Sequence, residues 1–212
     1  MFVGIAILGT VSGVLFAFAG DLPQITALDD YAPSVITRVH AANGEVVTEF
    51  ATQRRVLIAY EDIAPRLREA IVAAEDGSFN THFGISIPRL AITIVRDILN
   101  QRLYGASTIT QQLARNLFLN LDKTWERKIK ELLLTFQIEK RYTKREILTM
   151  YCNQILFGHG AFGVEAASRM YFDKSAGELD LAEASLLAGI IQLPARQSPF
   201  VNLELASSRR SY

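Results

Sequence analysis

The sequence has 212 residues, half of them hydrophobic, which is enough for one domain with a substantial core or for one domain and an anchor. Its 22 basic and 22 acidic residues give a net charge of zero, so a general attraction to nucleic acid is not expected. The single cysteine, Cys152, excludes an internal disulfide and offers no metal-binding spacing, and its apolar context predicts a buried, unreactive thiol.

The first element in chain order is an apolar segment. Residues 2–19 carry no charge and are apolar apart from Thr10 and Ser12, a length that just suffices to cross a bilayer. We therefore predict a single transmembrane anchor over residues 1–20, followed by a linker over 21–34. A cleaved signal peptide is the alternative, because residues 17–19 resemble a signal-peptidase site.

After the linker, the pattern predicts a short β-hairpin and then helices almost throughout. Val35–His40 and Glu45–Phe50 flank an Asn-Gly pair at 43–44, which is typical of a hairpin turn. From Ile63 onward, apolar residues recur at a spacing of three to four. The predicted helices are 65–74, 87–100, 107–119, 124–140, 144–153, 164–171 and 181–191. The fold class predicted is therefore mainly α.

Two pairs of residues have the spacing of a helix capping box. Thr108 and Gln111 precede one apolar run, and Ser175 and Glu178 precede the last predicted helix. The first helix start also suits an oxyanion, because it presents unpaired N–H groups and Arg115 follows within two turns. A well-capped helix with a polar face is the alternative.

Two adjacent acids stand where the predicted helix 65–74 ends. Negative charge is disfavoured at a helix C-terminus, so Glu75 and Asp76 have no obvious structural benefit there. A positioned glutamate suits general-base chemistry. Taken alone, a glutamate such as Glu75 is more often a surface acid beside a turn, and a histidine such as His82 is more often a hydrogen-bonded structural residue.

Taken together, these blocks resemble the motifs of glycosyltransferase family 51, the peptidoglycan-polymerising module of class A penicillin-binding proteins and monofunctional transglycosylases. The first motif, E-D-x-x-F-x-x-H-x-G, is matched in full by Glu75, Asp76, Phe79, His82 and Gly84. The second, G-x-S-T-I-T-Q-Q-L-x-K-N, is matched over residues 105–116 except that Arg115 replaces lysine. The third, R-K-x-x-E, is matched by Arg127, Lys128 and Glu131.

The fourth motif, roughly K-x-E-I-L-E-x-Y-L-N, is matched over residues 144–153 with two departures. Thr149 stands in place of glutamate and Cys152 in place of leucine. The resemblance runs in the family's order from about Ile36 to the end. It implies a lysozyme-like helical domain over residues 35–212 with a small membrane-facing subdomain. It also implies a bacterial inner-membrane protein with a single span and an extracytoplasmic catalytic domain, and we expect a transpeptidase domain to follow in the full protein.

The activity that the resemblance implies is polymerisation of lipid II into glycan strands, with inversion at the anomeric carbon and release of undecaprenyl pyrophosphate. Glu75 is then the general base and Glu131 a second acid on the donor side. The expected substrate-binding residues are Asp76, Phe79, His82, Gly84, Ser107, Thr108, Gln111, Gln112, Arg115, Asn116, Lys123, Arg127, Lys128, Lys130 and Asn153. The implied partners are lipid II, the growing lipid-linked strand, the membrane and other cell wall synthesis proteins, without nucleic acid. A magnesium or manganese ion at the donor pyrophosphate is an optional cofactor.

Two other functions stay open at the level of sequence. A lysozyme-like domain with an essential glutamate also suits a lytic transglycosylase, which cleaves glycan. Between Gln111 and Arg145, however, the sequence contains nine Lys or Arg residues and only four Asp or Glu. This local excess of positive charge suits a pyrophosphate better than an uncharged leaving group. A solvated helix face with pairs such as Arg127–Glu131 is the structural alternative. An inactive membrane-anchored scaffold is the third possibility, suggested only by Thr149.

Overall fold

The computed structural model describes residues 2, 9, 13, 18, 20, 22–28, 37–43, 46–50, 54–100, 107–120, 122 and 124–210. The predicted membrane anchor at 1–20 therefore lies largely outside the described residues. Among the residues that are described, no helix is both long enough and apolar enough to cross a membrane.

The described part of the chain is mainly helical, as predicted. The α-helices are α1 (Pro65–Asp76), α2 (Ile87–Asn100), α3 (Ile109–Phe118), α4 (Trp125–Arg141), α5 (Lys144–Gln154), α6 (Val164–Phe172), α7 (Leu181–Ile190), α8 (Pro194–Gln197) and α9 (Leu203–Arg210). The first seven lie where the sequence predicts helices. The short helices α8 and α9 were not predicted. Helix α1 extends two residues further than expected, so Glu75 and Asp76 belong to its last turn.

The strands form two small sheets. Strand β1 (Thr37–His40) pairs antiparallel with β2 (Val46–Phe50), with Thr37 opposite Phe50, at the position of the predicted hairpin. Strand β3 (Arg54–Arg55) pairs in parallel with β4 (Ala161–Phe162), which is more than one hundred residues further along the chain.

The chain divides into two compact units, and one of them comprises residues 1–31 and 82–143. Its centre is the packing of α3 against α4, where Leu113 and Leu134 are completely buried. A 3-10 turn, Ile25–Leu28, packs against α4 and buries Leu28. Part of the predicted linker is therefore packed against the helix that carries Glu131.

The other unit comprises residues 32–81 and 144–212. Here α1 packs against α7, and α7 against α9. The fully buried side chains Leu67, Ile71 and Leu187 contribute to this core. Helix α7 is apolar on most of its surface, as expected for a helix with packed neighbours on several sides.

The capping box at the start of α3 is confirmed, and the one predicted for α7 is wrong. Thr108 accepts the Gln111 amide at 3.3 Å, and the Gln111 side chain accepts the Thr108 amide at 3.0 Å. Helix α7 is capped instead by Asp180, which exchanges the same two hydrogen bonds with Glu183. The Glu183 amide holds the pKa of the Asp180 carboxyl below its ordinary value.

Cys152 is fully buried in α5. Burial raises the pKa of its thiol to about 12, because the thiolate cannot be solvated there, although Arg68 partly opposes the shift. An unreactive thiol at neutral pH follows from this.

Candidate active site

The predicted site residues are distributed over both units. The residues from His82 to Glu131 lie in the unit of residues 1–31 and 82–143, and Glu75, Asp76, Phe79 and Asn153 lie in the other. Each set is described within its own unit.

Glu131 is the centre of the first set. Its side chain is completely buried near the middle of α4. One carboxylate oxygen, Oε2, accepts a hydrogen bond of 2.7 Å from Nη1 of Arg127, and the other accepts one from Nζ of Lys128. A buried carboxylate is stable when it is paired on both oxygens in this way. The pair Arg127–Glu131 is thus formed, but on a buried rather than a solvated helix face.

The two cations differ in their exposure and in their further contacts. The Arg127 side chain is 17% exposed, and its Nε donates to the carbonyl of Asp122. The Lys128 side chain is 43% exposed, and its ammonium also donates to Oγ of Ser107 at 3.2 Å. Lys128 therefore connects α4 with the segment that leads into α3. The partly exposed ammonium of Lys128 thus lies beside the hydroxyl of Ser107.

The start of α4 is held by its own cap. Oγ1 of Thr124 accepts the amide of Arg127 at 3.1 Å, which fixes the first turn of the helix. The ammonium of Lys130 pairs with exposed Glu126 at 2.8 Å. A cavity of about 540 Å³ adjoins this helix start, and both Arg127 and Lys130 line it.

Thr108 and Gln111, predicted to bind substrate, have structural partners. Both are buried, and Oγ1 of Thr108 donates a hydrogen bond of 2.6 Å to the carbonyl of Gly84. Together with the capping box, this contact ties the end of the first motif to the start of α3. Both residues thus hold the backbone around the candidate site, and a direct contact with substrate stays a prediction.

Three other predicted residues occupy one side of α3. Gln112, Arg115 and Asn116 are partly exposed and are spaced by three and four, so they share a face of the helix. They are polar side chains of α3 with part of their surface exposed. Lys123 lies outside the described residues, so its role stays a prediction.

Gly84 has a backbone that other residues rarely adopt, with φ of +81°. A Cβ atom placed on it would lie 2.5 Å from Cγ2 of Thr135 on α4. Nearby, Glu139 of α4 is buried and accepts the hydroxyl of Thr110 on α3, a contact that the sequence reasoning missed. At position 84, a loop therefore packs closely against α4.

We expect Gly84→Ala to destabilise this unit through both effects. The left-handed conformation costs a non-glycine residue about 1–2 kcal/mol, and overpacking adds about 1–3 kcal/mol. The matched control is Gly160→Ala, where φ is +76° but no atom lies within 4 Å of the added Cβ. Urea unfolding should show a clearly larger loss of unfolding free energy for Gly84→Ala. Equal losses would mean that the loop moves away from Thr135 without penalty.

In the second unit, Glu75 is partly exposed and Asp76 is fully buried at the end of α1. The carbonyl of Asp76 accepts the amide of Phe79 at 2.8 Å, so the chain turns directly after the helix. Phe79 is 1% exposed, and Nζ of Lys144 lies 4.5 Å from its ring centre. Of the two acids, Glu75 is the one that a substrate can reach.

The side-chain amide of Asn153, at the end of α5, forms hydrogen bonds with the main chain. Its Oδ1 accepts the amide of Ile58 and its Nδ2 donates to the carbonyl of Ile58, both at 2.9 Å. These two hydrogen bonds join the end of α5 to the backbone at Ile58, much as a neighbouring strand would. A substrate contact by Asn153 stays a prediction, and the structure assigns its amide a structural role.

Among the described residues, no three His, Cys, Asp or Glu side chains are grouped so that they could hold a metal ion.

Comparison with known proteins places the chain beside the transglycosylases. The protein family described as Transglycosylase matches residues 43–212. Penicillin-binding protein 1A of Rickettsia prowazekii is 38% identical over 203 residues, and that of Neisseria gonorrhoeae is 38% identical over 205 residues. These matches cover 94% and 96% of this chain but 26% of each relative, so the chain spans about a quarter of their length. The crystal structure of penicillin-binding protein 1A from Haemophilus influenzae is 20% identical with a TM-score of 0.44, covering 85% of this chain and 17% of that one.

Proposed function

This chain belongs to the transglycosylase family, glycosyltransferase family 51, and we propose that it polymerises lipid II into glycan strands with release of undecaprenyl pyrophosphate. The observation that carries the proposal is the buried Glu131 carboxylate with Arg127 on one oxygen and Lys128 on the other. Such a pair of oriented cations suits the negative charge that develops on a departing pyrophosphate.

The proposed reaction needs a base and a stabilised leaving group. The 4-hydroxyl of the acceptor GlcNAc attacks the anomeric carbon of the donor MurNAc while Glu75 takes the hydroxyl proton. The bond from that carbon to the pyrophosphate oxygen breaks, and its electron pair leaves with the pyrophosphate. An inverting displacement requires a base on one face of the sugar and stabilisation of the leaving group on the other.

In this proposal, Glu131 does not touch the sugar but aligns the two cations. Lys128 retains an exposed side beside Ser107, so its ammonium can contact a phosphate oxygen without leaving Glu131. Arg127 is more buried and supplies fixed positive charge. On α3, Gln112, Arg115 and Asn116 would contact the donor, and Lys123 would add a further cation.

Charge also separates synthesis from the alternative of glycan cleavage. A hydrolase or lytic transglycosylase expels an uncharged sugar and has no need of aligned cations. The inactive-scaffold alternative depended on Thr149. In the structure, Oγ1 of Thr149 donates a hydrogen bond of 2.8 Å to the carbonyl of Arg145, so α5 accommodates a threonine at this position.

The direct test is incubation of the purified protein with lipid II, followed by separation of the products by size. Polymer supports the proposal. Cleavage of preformed glycan strands without polymer would assign the chain to the lytic class, and neither product would assign it to the scaffold class.

The proposed setting is the bacterial inner membrane, with residues 1–20 as a single span and the domain on the extracytoplasmic side. The support is the uncharged apolar run of residues 2–19 together with a lipid-linked substrate. Other cell wall synthesis proteins are proposed partners. A magnesium or manganese ion would have to take its ligands mainly from the pyrophosphate and water, since the described residues offer no metal-binding cluster.

We expect Arg115→Ala and Lys123→Ala each to reduce turnover of lipid II by roughly 10- to 150-fold, the equivalent of one lost charge-assisted hydrogen bond. Arg115→Lys should remain active, because it keeps the charge while losing the planar fork. The measurement is the initial rate of polymerisation. Unchanged rates in both alanine variants would contradict the assignment of these cations to the leaving group.

A further inference from the structure

A second cavity, of about 700 Å³, opens on α1 within the unit of residues 32–81 and 144–212. It is bounded by α1, by the turn that follows it and by the start of α5. Six of its lining side chains carry the argument below: Tyr60, Arg68, Glu69, Phe79, Lys144 and Arg145. Of these, only Phe79 belongs to the predicted site.

The two arginines of this pocket lie against the same aromatic ring. The guanidinium of Arg68 lies 4.0 Å from the ring centre of Tyr60, and its Nη1 donates to the carbonyl of Tyr60 at 3.1 Å. The guanidinium of Arg145 lies 4.6 Å from the same ring. Stacking uses the flat faces of a guanidinium and leaves its N–H edges for an anion. Tyr60 is therefore a platform for two cations.

The charge of the pocket is positive. Lys144, which lies over the buried ring of Phe79, adds a third cation, and Glu69 is the one acid among the described lining residues. Arg145 also pairs with Glu61 outside the lining, but both side chains are more than half exposed. Counting both acids, the three cations still leave an excess of one positive charge.

The position of the pocket links it to the candidate base. Gly77 and Phe79 line it, and they follow Glu75 by two and four residues. Val72 and Leu148 add apolar surface beside the cations. A ligand held here would combine carboxylates with aliphatic groups and would lie next to the loop of the first motif.

We propose that this pocket binds the carboxylates of the peptide branch of the acceptor substrate. The inference rests on the proposed function, because Glu75 then activates the acceptor and the acceptor MurNAc carries a short peptide with free carboxylates. A carboxylate can bridge a guanidinium edge and an ammonium through two charge-assisted hydrogen bonds. The peptide would thereby orient the acceptor hydroxyl toward Glu75.

The test is a cycle of two proteins and two substrates. The wild type and the K144Q/R145Q variant are supplied with lipid II bearing free peptide carboxylates, and with lipid II in which these are converted to carboxamides. We expect the wild type to prefer the free carboxylates by about tenfold in kcat/KM, chiefly through KM, and the variant to show a preference near one. Lys174→Gln, which removes an exposed lysine paired with Glu183 outside the lining, should keep the wild-type preference.

The single variant R145Q should lose part of the preference. Because the Arg145 side chain is more than half exposed, this substitution should leave the fold intact. A preference that is equal in the wild type and both variants, or absent in the wild type, would overturn this inference while polymerisation itself still supports the proposed function. An effect of the variants that follows the anionic lipid content of the vesicles, rather than the carboxylates of the substrate, would also overturn it. If the wild type polymerised neither substrate, the proposed function would fail and this inference with it.

Discussion

Glu75→Gln is expected to reduce polymerisation of lipid II by about 100- to 10,000-fold, which is the usual effect of removing a positioned general base. The substitution keeps the size of the side chain and removes its ability to take a proton. Glu75 lies in the last turn of α1, where a negative charge opposes the helix dipole. The variant should keep the fold, because the amide has the size of the carboxylate and removes a charge that the helix dipole disfavours.

The measurements are the polymerisation rate and the unfolding free energy of the same preparations. Glu204→Gln on α9 is the control for losing an exposed helical glutamate elsewhere in the same unit: it should leave the polymerisation rate unchanged and, since Glu204 lies in the first turn, lower the unfolding free energy by no more than about 1 kcal/mol. A Glu75→Gln variant with near-normal turnover would remove Glu75 from the mechanism. A large loss of stability would instead mean that the carboxylate has a structural role.

Glu131→Gln is expected to give the second large effect, on both stability and activity. Removing one member of a buried ion pair costs about 3–5 kcal/mol, because the remaining charges lose their compensation. Here two cations, Arg127 and Lys128, lose the same carboxylate. We expect a fall of about 3–5 kcal/mol in unfolding free energy, and a turnover at least about 100-fold lower per folded molecule, since the cations are no longer aligned.

The comparison variant for stability is Glu126→Gln, which breaks the neighbouring pair with Lys130. The Glu126 side chain is 59% exposed, so this change should cost less than about 1 kcal/mol. Activity must be measured at a temperature at which circular dichroism shows Glu131→Gln to be folded. If the folded variant then polymerises at the wild-type rate, Glu131 has a structural role alone.

Local signals in the sequence were sufficient for most helices. The spacing of apolar residues and the cap residue Thr124 predicted α4 to within one residue at each end. The capping box of Thr108 was equally local, since both partners lie within one turn. The amide of Ser175 does donate to the Glu178 carboxylate at 3.0 Å, but α7 begins later and is capped by Asp180. An added Cβ at Gly177 would lie 2.6 Å from the carbonyl of Asp62, so tertiary packing decides the conformation of that turn.

The residues of the candidate site could be predicted from the sequence, but their burial and their contacts could not. A spacing of four places Arg127 beside Glu131 on any helix, whether solvated or buried. Only the packing of α4 shows that the Glu131 carboxylate is inaccessible to water. The carboxylate-binding pocket proposed above could not be foreseen either, because Tyr60 and Arg145 are 85 positions apart and no periodicity connects them.

The pair of hydrogen bonds between Asn153 and Ile58 has a consequence for biosynthesis. The two residues are 95 positions apart, and the unit that they close is interrupted by residues 82–143. At roughly 5–20 residues per second, a ribosome needs about 5–20 seconds to translate from one partner to the other. Helix α7, which covers the apolar residues Leu67 and Ile71 of α1, emerges later still. We expect α1 to be the nascent segment that chaperones engage, while α3 and α4 already pair with each other.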